Sequence, residues 1–415
     1  MLSILSFSRQ AFLALALALL VNGLSIPQDA SQDLVARENK FVKIDFDIVR
    51  GSSKESLNLT SSNEPHILIS ANQKRAGEPE VTLYNEKTYY TTNLLVGSNK
   101  QAVSAIIDTG SSDLWLVAKD ATCKDKQGNT NTGCYASGVY DKSTSSSFNN
   151  IGTPFYIKYG DGTTSNGTWV KDDVSFVGGP GVRQLQFADV DTTTSELGVL
   201  GIGFTLLEST QTDYDNLPSL LKKQGVISTN AYSLYLSQPS AATGTIIFGG
   251  IDNAKYQGSL VKLPVQSPYE LSVHLNTINI AGKTLTANSA ALLDSGTTLT
   301  HLTTSIVKAI ASTLNGTPAT NIGYIIDCNQ PSNQYISYNF NGVTIKVPLS
   351  ELTVDLYYTN GQKYPGCGLG VIASDKTQIL GDNFLRSAYV AYNLDAKTIS
   401  LAQVKYSTQE NIVPF

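Results

Sequence analysis

Two short segments of the chain resemble one another, and each contains one aspartate. Residues 105–112 read AIIDTGSS and residues 291–298 read ALLDSGTT, so Asp108 and Asp294 occupy the same place in both. An apolar run leads into each acid, and glycine and hydroxyl residues follow it. Burying a carboxylate is unfavourable unless hydrogen bonds or a function compensate. One such segment could be a surface turn, but two in matched apolar contexts indicate a pair of functional carboxylates.

The repeat extends beyond the two acids. Val199-Leu200-Gly201 ends 93 residues after Asp108, and Ile379-Leu380-Gly381 ends 87 residues after Asp294. Two lobes of similar build are therefore predicted, and packing them about an approximate two-fold axis would bring the acids face to face. Carboxylates in contact cannot both ionise easily, so they share a proton and can serve as acid and base together.

The elements that must position these acids are predicted to be mostly β-strands. Short apolar and β-branched runs, bounded by Gly, Asn, Asp or Ser, are typical of strands, whereas helical patterns are few. The predicted fold class is mainly β. Strands are expected at 81–85, 89–96, 103–107, 114–117, 155–159, 233–236 and 245–248, and helices at 216–225 and at 304–314, the latter capped by Thr303 or Thr304.

The composition argues against several classes of protein. The 415 residues include 29 Lys+Arg and 34 Asp+Glu, a net charge of −5, with no basic stripe, so nucleic acid and anionic membranes are not expected partners. A hydrophobic content of 41% with 15% charged residues indicates a folded chain. At one domain per ~150 residues, the length favours two or three domains.

Metal and serine-hydrolase chemistry find little support in the sequence. Four cysteines and three histidines occur without a CxxC or HExxH motif, so no metal site is expected. No GxSxG motif accompanies His274 and His301, which we interpret as surface or packing residues.

The N-terminus predicts secretion. A single charge, Arg9, precedes the apolar run 11–21, and small residues surround Gly23, which is the layout of a signal peptide over residues 1–23. The eleven apolar residues would rise about 16 Å as a helix, which is too short for a hydrocarbon core about 30 Å thick.

Residues 24–75 are predicted to be a pro-segment. They are polar, contain no cysteine and end in the dibasic pair Lys74-Arg75, after which the sequence becomes rich in Gly, Tyr and Thr. We expect cleavage after this pair, an N-terminal lobe at 76–240 and a C-terminal lobe at 241–415. In an oxidising compartment the four cysteines should pair, and nearest-neighbour pairing, one of three possible connectivities, would join Cys123 to Cys134 and Cys328 to Cys367.

The motifs resemble those of the pepsin-like aspartic proteases. The segments concerned are AIIDTGSSDLW, YGDGTTSNGTW, LLDSGTT and ILGDNFLRSAYVAYNL, while YSLYL, ATGTIIFGGIDNAKYQGSL and LAQVKY are similar to the candidapepsins of secreting yeasts. The resemblance covers essentially all of residues 76–415. It implies a monomeric, bilobal, mainly β endopeptidase without a cofactor or membrane anchor. Its substrates would be extended polypeptides cut beside large hydrophobic residues at acidic pH, and its inhibitor would be its own pro-segment.

The resemblance also implies roles for individual residues. Asp108 and Asp294 would hold the attacking water, one taking its proton while the other protonates the scissile carbonyl oxygen, with no covalent intermediate. Which aspartate is the base stays open, because the two titrate as a pair. The hydroxyl residues would support them: Ser111 and Thr297 by bonding the outer carboxylate oxygens, and Thr109 and Ser295 by bracing the two loops.

A flap over the cleft is expected at residues 155–170, with its turn at Tyr159-Gly-Asp-Gly. Such a hairpin can exclude water and donate backbone hydrogen bonds to an extended peptide. Tyr159 would pack beside the substrate and bond to Trp115. By the same resemblance, the peptide groove would be lined by Gly110, Tyr159, Gly160, Asp161, Gly296, Thr297 and Thr298.

The flap also contains the departure from the family pattern. Thr163-Thr164 and Asn166 stand where close relatives carry serines and glutamine, and Asn166-Gly-Thr is a sequon for N-glycosylation, as is Asn315-Gly-Thr. A glycan at Asn166 is expected to hinder access to the cleft. The last residues, NIVPF, include no apolar tail, so a lipid anchor is not expected.

Two other functions fit parts of the sequence. A catalytically silent relative that binds peptides or inhibitors would be expected to lack one of the two aspartates, and both are present. A cell-wall carbohydrate-binding protein fits the composition and the signal peptide, but it leaves the duplicated acid motif unexplained.

Overall fold

A computed structural model describes residues 41–50, 81–82, 88–125, 127–320, 322–358 and 362–415. The predicted signal peptide, the Lys74-Arg75 pair and most of the predicted pro-segment lie outside these residues. Within the described ranges, none of the helices combines the length and the apolar character needed to cross a lipid bilayer.

Strands make up most of the described chain, and the helices are short. The strands are β1 (Val42–Arg50), β2 (Val81–Thr82), β3 (Thr88–Val96), β4 (Gln101–Asp108), β5 (Leu114–Lys124), β6 (Thr130–Asn131), β7 (Asn149–Lys158), β8 (Thr164–Phe176), β9 (Gly181–Thr193), β10 (Gly198–Gly201), β11 (Ala231–Tyr235), β12 (Thr243–Phe248), β13 (Gly250–Asp252), β14 (Tyr256–Pro264), β15 (Ser272–Ile280), β16 (Lys283–Leu293), β17 (Thr300–Leu302), β18 (Thr317–Ala319), β19 (Gly323–Ile326), β20 (Tyr335–Phe340), β21 (Val343–Pro348), β22 (Thr353–Tyr358), β23 (Lys363–Leu369), β24 (Val371–Ala373), β25 (Ile379–Leu380), β26 (Ala388–Asn393), β27 (Thr398–Val404) and β28 (Ile412–Pro414). The helices are α1 (Leu217–Lys223), α2 (Thr304–Thr313) and α3 (Asp382–Leu385), with short 3-10 helices at Gly133–Tyr135, Lys142–Thr144, Thr205–Leu207 and Leu349–Leu352.

The predicted mainly β class is confirmed, and the predicted elements differ from the observed ones chiefly at their ends. The strand expected at 114–117 continues to Lys124, because β5 pairs with β9 a second time at Thr122 and Cys123. The strand expected to end at 159 ends at Lys158, since Tyr159 begins a turn. Of the strand expected at 81–85, the structure describes only β2.

Two large sheets carry the two acid motifs. A fourteen-stranded sheet runs in the order β14-β27-β26-β11-β12-β1-β3-β4-β10-β5-β9-β8-β7, with β6 paired to β5. A seven-stranded sheet runs β21-β20-β15-β16-β25-β17-β24. Smaller sheets are formed by β18-β19-β23-β22-β2 and by β13-β28. Asp108 therefore ends a strand of the first sheet, and Asp294 follows a strand of the second.

The second sequence echo has a structural counterpart in each sheet. β10 lies parallel to β4 and sets Gly201 opposite Asp108, while β25 lies parallel to β16 and sets Leu380 opposite Leu293. The two Leu-Gly segments therefore support the two acid-bearing strands in the same way, which confirms the predicted similarity of the two halves at this point. The lobe boundary at residue 240 stays a prediction.

Helix α2 begins at the predicted position but is capped by a distant residue. Thr303 is the N-cap, yet its side chain makes no capping hydrogen bond. Instead, Asp375 accepts hydrogen bonds from the Thr304 backbone N–H at 2.8 Å and from Thr304 Oγ1 at 2.7 Å. A carboxylate at this position is favourable because the helix N-terminus carries partial positive charge.

Strand β1 comes from the predicted pro-segment and lies inside the fourteen-stranded sheet. It pairs antiparallel with β12 on one side, Val42 opposite Phe248, and with β3 on the other, Ile48 opposite Tyr90. Phe46 is buried, and its ring meets the ring of Tyr90 edge to face at a centroid distance of 5.5 Å. This strand of the predicted pro-segment is therefore an integral part of the fourteen-stranded sheet.

Both disulfides follow nearest-neighbour pairing. Cys123–Cys134 joins β5 to the first 3-10 helix across 11 residues, and Cys328–Cys367 joins the loop after β19 to β23 across 39 residues. Because a cross-link restricts the unfolded chain more when it closes a longer loop, the second should stabilise the protein more.

We expect unequal losses of stability when the disulfides are removed. Replacing Cys328 and Cys367 by alanine should lower the free energy of unfolding by about 4 kcal/mol, and replacing Cys123 and Cys134 by about 3 kcal/mol. Urea unfolding of the two double variants beside the unsubstituted protein measures both losses. A larger loss from the shorter loop would contradict an account based on loop closure.

Candidate active site

Buried strands deliver the two acids to the same place. β4 ends at Asp108, and β16 ends at Leu293, directly before Asp294. Ile107 and Leu293, which directly precede the two acids, are buried, whereas each aspartate keeps 7% of its surface exposed. The Ile202 backbone N–H donates to the Asp108 carbonyl at 2.9 Å, and the Asp294 N–H donates to the Leu380 carbonyl at 3.2 Å. Both backbones are thereby fixed by the neighbouring parallel strand.

The turn after each acid bonds the carboxylate in the same way. The Gly110 N–H donates to Asp108 Oδ1 at 2.8 Å, and the Gly296 N–H donates to Asp294 Oδ1 at 2.8 Å. Ser111 Oγ donates to Asp108 Oδ2, and Thr297 Oγ1 donates to Asp294 Oδ2 at 2.5 Å. Each carboxylate is therefore held by one amide and one hydroxyl, which fixes its orientation before any ligand binds.

Each turn approaches the acid of the other motif closely. A Cβ atom on Gly110 would lie 2.6 Å from Asp294 Oδ1, and one on Gly296 would lie 2.5 Å from Asp108 Oδ1. No side chain fits at such distances, so each glycine is required by the opposite carboxylate. The structure thus brings the two predicted acids together across the two sheets.

Thr109 and Ser295 join the two turns to each other. Thr109 Oγ1 donates to the Leu293 carbonyl at 2.8 Å and accepts from the Ser295 N–H at 2.9 Å. Reciprocally, Ser295 Oγ donates to the Ile107 carbonyl at 2.8 Å and accepts from the Thr109 N–H at 3.2 Å. All four bonds are buried, so the relative position of the acids is set by a closed hydrogen-bond network.

The charge of Asp294 affects the titration of Asp108. Burial raises the pKa of Asp108 well above its usual range, and the charge of Asp294 raises it further, while hydrogen bonds from Ser111 and Gly110 oppose the shift. Two carboxyl groups so close favour a state with one proton between them. At acidic pH the site therefore offers a proton donor and a proton acceptor side by side.

The predicted flap is present as the hairpin of β7 and β8. Trp115 Nε1 donates to Tyr159 Oη at 2.7 Å, as the resemblance implied. Burial raises the pKa of Tyr159, the charge of Asp108 adds to that shift, and hydrogen bonds from Trp115 and Ser111 oppose it. Tyr159, at the base of the flap turn, is thereby held next to Asp108 and Ser111.

The flap turn is built from the predicted residues. The Tyr159 N–H donates to the Thr163 carbonyl at 2.9 Å, and Gly162 has a φ of +87°, which favours glycine. Asp161 Oδ1 accepts from the N–H and Oγ1 of Thr163 at 2.9 and 2.7 Å. Gly160 is exposed in this turn. Of the remaining groove residues, Thr298 follows the second acid turn, and its carbonyl accepts from the Asn383 N–H at 3.3 Å.

Two further carboxylates lie around Tyr214, which packs on the flap strand β8, and the sequence analysis did not predict them as site residues. Asp113 accepts from Tyr214 Oη at 2.8 Å and from the Ser209 N–H at 2.9 Å, and Glu208 accepts from the Tyr214 N–H at 2.7 Å. Tyr214 packs edge to face on Trp169 at 5.4 Å. Asp113 directly follows the first acid motif, and this position could have marked it as a candidate site residue. The loop that contains Glu208 has no sequence pattern that points to a site.

A third carboxylate lies behind the second acid turn. The Asp382 N–H donates to the Thr297 carbonyl at 2.9 Å, and neither side-chain oxygen of Asp382 has a hydrogen-bond partner among the described residues. Burial raises the pKa of Asp382 strongly, the nearby Arg386 opposes this shift, and Asp294 reinforces it. Arg386 is itself paired with Glu351, with Nη2 at 2.6 Å from Oε2.

In the part of the chain that the structure describes, the other possible metal ligands do not form a second site. Among the described residues, the one cluster of three possible metal ligands is Cys328, Asp355 and Cys367, and its two sulfur atoms are already joined in a disulfide. His274 contacts Asn288 at 3.1 Å. Burial lowers the pKa of His301, which is half-buried, and the charge of Asp294 opposes the shift.

The buried carboxyl group of Glu208 predicts a loss of stability as the pH rises. Burial raises its pKa to about 8, so the folded protein binds a proton that the unfolded chain releases above its ordinary pKa of 4.5. Stability from this group is therefore complete below about pH 4.5 and falls toward pH 8. Because the group retains some exposure, we expect Glu208→Gln to gain only about 1 kcal/mol at pH 8, or ~2–4 °C in Tm, and nothing at pH 4.

Thermal melts from pH 4 to 8 test this expectation, with Glu270→Gln, a partly exposed glutamate, as the matched control. Parallel melting curves for Glu208→Gln and the unsubstituted protein at every pH would contradict a neutral, buried Glu208.

Comparison with known proteins agrees with this geometry. The family model for eukaryotic aspartyl proteases matches residues 89–404. Secreted aspartic protease 3 of Candida albicans is 45% identical over 410 residues, covering 98% of this chain and 99% of the relative. Candidapepsin-1 and secreted aspartic protease 8 of Candida albicans are also 45% identical, over 98% and 99% of this chain and 99% of each relative. Since the matched region contains both acid turns and the flap, the chain belongs to the eukaryotic aspartyl protease family and is an aspartic-type peptidase.

Proposed function

We propose that the protein is a secreted endopeptidase that hydrolyses extended polypeptides at acidic pH with a water molecule activated between Asp108 and Asp294. The observation that carries this proposal is the crossed pair of turns, in which each glycine lies against the opposite carboxylate. Such contact forces the acids to share a proton, which is the state that acid and base catalysis by one pair requires.

The proposed reaction uses each carboxyl group once. The ionised carboxylate takes a proton from water as the water oxygen attacks the scissile carbonyl carbon, while the protonated carboxyl group gives its proton to the carbonyl oxygen. Collapse of the resulting diol breaks the C–N bond and transfers a proton to the leaving amine. Loss of the shared proton at higher pH removes the acid, so activity should decline as the pH rises.

The apolar residues packed against the flap support a preference for substrates with large hydrophobic side chains. Phe155, Ile157, Tyr159, Trp169 and Tyr214 pack in one apolar cluster behind the flap, together with Trp115 and Val199. An apolar lining gains most from burying apolar substrate groups. Backbone groups of the flap turn at Gly160 and Asp161 would bond the extended substrate chain.

We further propose that residues 24–75 hold the enzyme in a precursor form until the chain is cut after Lys74-Arg75. Support comes from β1, which lies before the predicted cleavage point and whose side chains contact residues that lie after it. Lys43 pairs with Glu410 near the C-terminus, and Thr245 Oγ1 donates to Asp45 Oδ1 at 2.9 Å. The precursor and the processed enzyme would both be monomers.

The dyad is tested by substitution. Asp108→Asn and Asp294→Asn should each lower kcat on a denatured protein substrate by about 10²–10⁴-fold or more, because either change removes one partner of the proton exchange. Activity of the chain cut after Arg75 should rise toward acidic pH and be blocked by pepstatin. Asp120→Asn, at an exposed position of β5, is the matched control and should retain full activity. Retained activity in either dyad variant would contradict the mechanism.

The precursor role of β1 has its own test. In a chain with Lys74→Ala and Arg75→Ala, Phe46→Asp places a charge in a buried position and should raise precursor activity by roughly tenfold or more. Val49→Asp, at a position that is 44% exposed, is the control and should leave the precursor silent. Equal activity of all three uncut chains would show that β1 does not restrain the enzyme.

A further inference from the structure

The outer face of the flap carries an unusual pair of side chains. In the hairpin of β7 and β8, Tyr156 lies directly opposite Asn166, so the two side chains share one face of the sheet. Tyr156 is 57% exposed, which is a large exposure for an aromatic side chain within a paired strand. Neither side chain has a hydrogen-bond partner among the described residues, so both are available to a group attached from outside.

Strand alternation places this face opposite to the side chain of Tyr159, which lies beside Asp108. Along β7, Phe155 and Ile157 pack with Tyr159 into the apolar cluster behind the flap, and strand alternation turns Tyr156 to the opposite side. On β8, Ser165 and Trp169 are buried, while Asn166 is half-buried on the outer side. A group attached to Asn166 therefore leaves the hairpin on its outer surface.

The middle residue of the sequon is set by packing. A Cβ atom on Gly167 would lie 2.2 Å from the Asp189 carbonyl of the adjacent strand β9, so this position accepts only glycine. Asn166 and Thr168 have no comparable constraint, and the described contacts use neither side chain. The packing thus explains the glycine but leaves the asparagine and threonine of Asn166-Gly-Thr without a structural role.

We propose that Asn166 is N-glycosylated and that the exposed ring of Tyr156 packs against the first sugar of that glycan, so that the carbohydrate rests on the outer face of the flap. The inference depends on the proposed secretion. A lipid-linked oligosaccharide diphosphate supplies the sugar: its anomeric C–O bond breaks, the anomeric carbon forms a C–N bond with Asn166 Nδ2, the amide loses one proton, and the lipid diphosphate leaves.

The consequence is a stiffer flap with an open cleft. A sugar ring that covers Tyr156 links β7 to β8 through a contact that the bare protein lacks, and aromatic contacts of this kind are favourable. Opening of the hairpin breaks the contact, so the glycan should slow opening. Because the sugar lies on the face away from Tyr159, it should not obstruct the groove, contrary to the expectation from the sequence alone.

Occupancy is tested on the full chain secreted from a glycosylating yeast. Peptide mass spectrometry after enzymatic release of glycans should show Asn166 converted to Asp in the unsubstituted protein and in Thr168→Ser, and unconverted in Thr168→Ala. Asn315, exposed after α2 with a φ of +54°, serves as the internal reference. Secreted protein that is modified at Asn315 and bare at Asn166 would overturn this inference alone, whereas failure of secretion would count against the proposed function.

The role of Tyr156 is tested by hydrogen exchange of the flap hairpin. Exchange of flap amides should be about 2–10-fold slower in the glycosylated protein than in Thr168→Ala, and this difference should vanish in the Tyr156→Ala background. Asn315→Gln should leave flap exchange unchanged. A glycan effect that persists without Tyr156 would refute the packing, and a tenfold or greater rise in KM for a short peptide on glycosylation would place the glycan over the cleft and refute the outer-face position.

Discussion

Contact between two carboxyl groups in a largely dehydrated site is the interaction on which the rest of this structure depends. As two anions, Asp108 and Asp294 would repel each other strongly, and as two neutral acids they would have no base. The bonds from Gly110, Ser111, Gly296 and Thr297 hold each group in place, and the network of Thr109 and Ser295 prevents the pair from moving apart. The two large sheets therefore act as supports that must deliver the two acids to the same place.

Buried carboxyl groups also occur in the interior around the site. Asp113, Glu208 and Asp382 are buried acids whose pKa values are all raised, in each case first of all by burial. Such groups are tolerated when they carry a proton, and they become unfavourable when they lose it. Around the dyad, raised pKa values therefore extend to three carboxyl groups beyond the two residues that would perform the chemistry.

The sequence predicted those features that depend on local pattern. The two apolar runs ending in Asp-Thr-Gly and Asp-Ser-Gly located both acids, because a buried strand followed by a tight turn is a local signal, and the repeat implied their meeting. The Trp115–Tyr159 bond followed from the family resemblance. Contacts between distant segments could not be read in this way: Asp375 at the start of α2, Glu208 beneath Tyr214, and the position of β1 between β3 and β12 each depend on tertiary pairing that leaves no trace in neighbouring residues.

The close approach of Gly110 and Gly296 to the opposite acids bears on how such a chain can change over generations. Each glycine belongs to one half of an internal repeat, yet the atom that forbids a larger side chain there belongs to the other half. The two copies of a duplicated segment ordinarily accumulate substitutions independently, because each packs against its own neighbours. Here each copy is a neighbour of the other, so a larger side chain at either glycine would displace the acid that the opposite copy contributes, and the two copies share one constraint on substitution.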